Sequence, residues 1–147
     1  MGGSYMEYRE SGFWSRDFQA EVWIYLLSKE AADVVDRPAW LDEARDDWEI
    51  QATAGFMGCI SPRLDEHLGL DPDRVATVLA LSELVRQRLT RWAPAIPKSV
   101  VNAFGTGGEQ ESFNDDLDTK SLLRFADLFL SLLRGEITAE PGSLYAY

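Results

Sequence analysis

The 147-residue sequence predicts an all-α fold: one globular helical bundle of four major helices plus one or two short helical turns. Three observations carry this. Apolar residues recur at three- and four-residue spacing along most of the chain. Two cap-plus-proline signals, Asp36-Arg37-Pro38 and Asp71-Pro72, read as helix starts. Strand signals are scarce, and no internal repeat or long linker divides the chain. A single helical domain over residues 1–147 is expected, with a loose N-terminus (about residues 1–12) and a C-terminal tail (about residues 136–147).

Ser15 is placed to cap a first helix running to Ala32, with Asp17 at the positive end of its dipole. Ala20, Val22, Trp23, Leu26 and Leu27 crowd one broad side, so this helix is expected to be largely buried. The second helix opens at Pro38 and carries the stripe Leu41, Ala44, Trp48, Ala52, Gly55 and Phe56. Gly55 and Gly58 leave its end open.

Ser61-Pro62 starts a short turn through His67, which Gly69 stops. The helix after Asp71-Pro72 reaches about Trp92, with Val75, Val78, Leu79, Val85 and Leu89 on one stripe, and Pro94 and Pro97 lie beyond it. Residues 98–104 fit either a helical turn or a short strand. Gly105–Asp118 reads as a loop. Asp118 or Thr119 caps the last helix, centred on Leu122, Ala126, Phe129 and Leu133, and Gly135 ends it. The width of its apolar arc makes this the expected central core helix.

Charge and composition exclude several functions. With 25 Asp and Glu against 14 Lys and Arg the net charge is −11, unsuited to nucleic acid or to an anionic membrane surface. One Cys and one His cannot supply a structural zinc site or a disulfide framework. No apolar run approaches a membrane span and no secretory leader opens the sequence, so a cytoplasmic location is expected.

No constellation specifies catalysis. His67 lies in Arg63-Leu-Asp-Glu-His67 without a recognisable nucleophile, and reads as a solvated histidine at a helix end. Cys59, between Gly58 and Ile60, reads as a buried, inert thiol. Gly105-Thr-Gly-Gly108 lacks the P-loop lysine and leads into acids, which argues against a phosphate cradle. A magnesium site on Glu43, Asp46 and Asp47 requires a second acidic helix, and beyond its first turn the helix after Asp71-Pro72 offers only Glu83 and the last helix only Asp127. No catalytic residue, metal or cofactor is assigned.

The charge map is more informative. Asp42, Glu43, Asp46, Asp47 and Glu49 lie opposite the apolar stripe of the second helix, and Glu109, Glu111, Asp115, Asp116 and Asp118 crowd one loop. Arg74, Arg86, Arg88, Arg91 and Lys98 gather between residues 74 and 98. Trp40, Ile50 and Met57 lie off the core stripe, and Phe113 and Leu117 interrupt the acidic loop, so these are candidate anchors. The expected site for a basic protein partner comprises Trp40, Asp42, Glu43, Asp46, Asp47, Glu49, Glu109, Glu111, Phe113, Asp115 and Asp116. The expected function is a non-enzymatic protein-binding module, most concretely a small acidic inhibitor or immunity-type protein against a basic toxin or nuclease. An adaptor or structural homo-oligomer subunit is the alternative, and an acid-rich metal-dependent hydrolase ranks below both.

Overall fold

A computed structural model describes residues 2–108 and 112–147. The fold is mixed α/β rather than all-α: among the described residues, six helices are joined by two antiparallel strand pairs. The main correction lies at the N-terminus. β1 (Gly3–Tyr8) and β2 (Ser11–Arg16) form a hairpin in the register Tyr8↔Ser11, where a loose start and a cap at Ser15 are expected. Its two-residue turn is Arg9-Glu10, and both residues take positive φ (49° and 67°). Turns of this kind ordinarily use Asn or Gly. Ser4, Met6, Tyr8, Phe13 and Ser15 face inward, and Gly12 fits because a Cβ there would collide with the Met6 carbonyl and the Tyr5 ring.

α1 (Asp17–Ala32) follows directly. It packs against α2 (Ala39–Thr53), α4 (Pro72–Trp92), α6 (Thr119–Leu133) and the hairpin, and α6 in turn packs against α1, α4 and the hairpin, so the two helices share the middle of the core. Its polar residues are used structurally. Gln19 Nε2 donates to the carbonyls of Ser121 (3.0 Å) and Ala146 (3.3 Å), while its Oε1 accepts from the Arg16 amide (2.9 Å). Trp23, Phe125 and Phe129 cluster in the core with centroid separations of 5.2–6.0 Å, Phe125 stacking on Phe129 and Trp23 tilted against both, and Phe13 meets Phe125 edge-on.

The helical readings hold elsewhere, with local shifts. Leu41, Ala44, Trp48 and Ala52 of α2 are fully buried, and Trp48 Nε1 donates to Pro62 O at 2.7 Å. Asp36 is not the cap: it sits at φ 55°, and Pro38 holds the N-cap position. α3 (Leu64–Leu68) is short. Asp71 Oδ1 accepts from the amides of Asp73 and Arg74, so the cap of α4 is as the sequence indicates. Residues 95–96 form β3, paired with β4 (Leu117–Asp118), and α5 (Lys98–Ala103) lies between them. α6 ends at Gly135 (φ 70°), where the Glu136 amide donates to Ser131 O at 2.9 Å. The tail returns to the hairpin: Tyr145 bridges Trp14 in parallel, and Ala146 is fully buried.

Among the described residues no helix is long and apolar enough to cross a membrane.

Candidate partner-binding face

α2 presents its acids to solvent because its 3.6-residue period places Leu41, Ala44, Trp48 and Ala52 against the core. The acids are not equivalent. Asp42 Oδ1 accepts from Arg37 Nε (3.1 Å) and Arg45 Nε (3.3 Å), and these hydrogen bonds, Arg37's foremost, hold its carboxyl below the usual aspartate range. Asp47 is mostly covered, with His67 Nε2 at 2.8 Å and Arg63 Nη1 at 3.7 Å. Glu49 binds Lys29 Nζ at 3.0 Å, which raises the lysine above its ordinary value. Glu43 and Asp46 are exposed and make no ion pair among the described residues.

The other expected site residues divide similarly. Trp40 is half-buried on the core, and the Arg74 guanidinium lies 5.1 Å from its ring centroid. Phe113 packs edge-on to Phe18, and Asn102 bonds both its amide and its carbonyl. Asp116 Oδ1 accepts the Lys98 amide at the start of α5 (2.8 Å), while Asp115 is exposed. Glu109 and Glu111 lie outside the described residues. The 105–108 loop reaches α2, with Gly107 N–H donating to Ala52 O at 2.9 Å, whereas the Asp116 side chain is tied to the first residue of α5.

The structure adds an anchor the sequence places elsewhere. α2 ends at Thr53 and Gly55 takes φ 77°, so Phe56 leaves the core stripe and stands 40% exposed, beside Met57 at 71%. Ile50, 51% exposed, leads into this pair. Glu43, Asp46 and Ile50 fall within about 60° of one another on α2 at 100° per residue. The loop is braced from below: Gly58 N–H donates to Asp17 Oδ2 at 3.0 Å, and Gly107 packs on Gly55.

Two expectations about reactive side chains are corrected here. Cys59 is exposed, because the turn after Gly55 lifts it off the core. His67 is not freely solvated but is clamped by Asp47 and packs edge-on to Trp48. Glu83 and Asp127, the carboxylates a metal site shared with α2 would need, are bound by Arg134 and Arg86, both at 2.8 Å. The arrangement offers recognition: two unpaired carboxylates, an aliphatic side chain and a braced apolar turn. Comparison with protein-family models, curated proteins and solved structures finds no match for the chain.

Proposed function

We propose that this chain is a non-enzymatic, cytoplasmic protein-binding module that takes a basic partner on the solvent face of α2, acting as a small inhibitor of the immunity type. The observation that carries the reading is the line Glu43, Asp46 and Ile50, running into Phe56 and Met57. Carboxylates without internal partners are available to steer a cationic surface, and adjacent apolar groups supply the buried contact that slows dissociation. Because the loop is braced by Gly58 and Gly107, little ordering entropy is lost when it docks. Asp42, Asp47 and Glu49 contribute to the negative field while remaining tied to their own basic residues.

The test is parallel affinity purification from the source cell with the parent chain and the Glu43→Lys/Asp46→Lys variant. The expected result is a basic protein retained by the parent and lost by the variant. Its association rate with the parent should fall as salt is added. Equal recovery by both chains, or a rate indifferent to salt, would overturn the reading.

A further inference from the structure

α4 carries six charged residues, and four are held within the chain. Arg74 bonds His67 O, Glu83 binds Arg134, Arg86 binds Asp127 and Arg88 binds Glu30 at 2.6 Å. Asp73 and Arg91 alone have no side-chain partner among the described residues. They stand 18 residues apart, which is five helical turns, so they share one face about 27 Å from end to end. Between them the same face exposes Ala76, Ala80, Leu84 and Gln87. Val78, Leu81, Val85 and Leu89 occupy the opposite, buried side.

We propose that this face pairs with the same face of a second copy of the chain, antiparallel about a two-fold axis at the level of residue 82. The charges set the register. Opposed about that level, Asp73 meets the second copy's Arg91 and Arg91 meets its Asp73, so both unpaired charges are satisfied twice over. In the same register Ala80 lies opposite Leu84, fitting a large side chain to a small one on each side of the axis. A parallel pairing in register would instead set Asp73 against Asp73 and Arg91 against Arg91. The exposed positions 73, 76, 80, 84, 87 and 91 step by three or four residues, as along the seam of two helices crossing at a shallow angle. An isologous contact of this kind closes on itself and does not propagate into fibres. One helix pair buries less than the roughly 1,600 Å² of a standard interface, so dimers should form only at high concentration.

Asp73 in the first turn and Arg91 in the last also suit the helix dipole, which gives these residues an alternative role. A charge swap separates the two. Sedimentation equilibrium of the full chain, from micromolar to near-millimolar concentration, should show the mass rising from 16.6 kDa toward twice that value. Asp73→Arg or Arg91→Asp alone should weaken association about tenfold or more, since each single reversal creates two like-charge contacts. The double variant should recover parental association although both its helix-end charges are now unfavourable. Ala80→Glu, remote from both helix ends, should abolish the dimer without depending on the dipole. Glu43→Lys/Asp46→Lys should leave self-association unchanged, so the fate of this dimer is independent of the basic-partner reading. A monomer at every concentration, a dimer indifferent to the single reversals and to Ala80→Glu, or a double variant that melts like a single one yet does not re-associate would overturn the proposal.

Discussion

Ser4 donates its hydroxyl to Asp17 Oδ1 at 2.7 Å while accepting the Ile60 amide at 3.0 Å, so one buried side chain joins the hairpin, the start of α1 and the loop after α2. Asp17 completes the junction by accepting the Gly58 amide on its second oxygen. Its carboxylate also sits at the positive end of α1. The presentation of Phe56 and Met57 therefore depends on a residue of the first strand.

Ser4→Ala should destabilise the fold by about 1–3 kcal/mol, because it leaves the Ile60 amide and a carboxylate oxygen buried without that partner. Urea unfolding of the two proteins measures the difference. An unchanged midpoint would show that the junction contributes nothing to stability. Asp17→Asn should retain part of the network and fall between the two.

Phe129→Ala should cost about 3–5 kcal/mol, since the ring is fully buried between Trp23 and Phe125 and its removal leaves a cavity. For a domain of ordinary stability that is a large share of the total. The loss is read from the urea midpoint or the melting temperature. Phe129→Leu, which keeps most of the volume, should recover much of it.

Asp42 should titrate below the ordinary aspartate value because Arg37 and Arg45 favour its charged form. A folded-state value lower than the unfolded one means that the carboxylate stabilises the fold above the unfolded value. That contribution is lost as pH falls through the folded one. The effect is small for so exposed a side chain. Carbon-detected NMR titration of the carboxyl resolves it directly. In Arg37→Gln the midpoint should move up toward the ordinary value. A midpoint unaffected by that substitution would exclude Arg37 as the cause.

The phase of α2, and the length and phase of α4 and α6, were legible in the residues themselves. Helical periodicity and capping are local properties: Asp71-Pro72 starts α4, Asp118 caps α6, and Trp48 and Phe129 fall at the centres of buried stripes. The same periodicity placed Asp42, Glu43, Asp46, Asp47 and Glu49 away from the core. The hairpin escaped detection because its turn is Arg9-Glu10, two non-glycine residues held at positive φ. Their conformation is fixed by contacts far along the chain, including the bond from the Arg9 amide to Asp65 and from Tyr8 Oη to Gly69 O.

Tertiary structure alone decided which acids are free. Asp47 and Glu49 find their partners in His67 and Lys29, each 20 residues away, so spacing within α2 says nothing about them. It also decided that Phe56 and Cys59 face solvent, because the backbone at Gly55 departs from the helix whose phase would have buried Phe56. Local sequence sets the period and face of an element. The pairing of its polar groups depends on where other elements bring their charges, and that is a property of the folded chain.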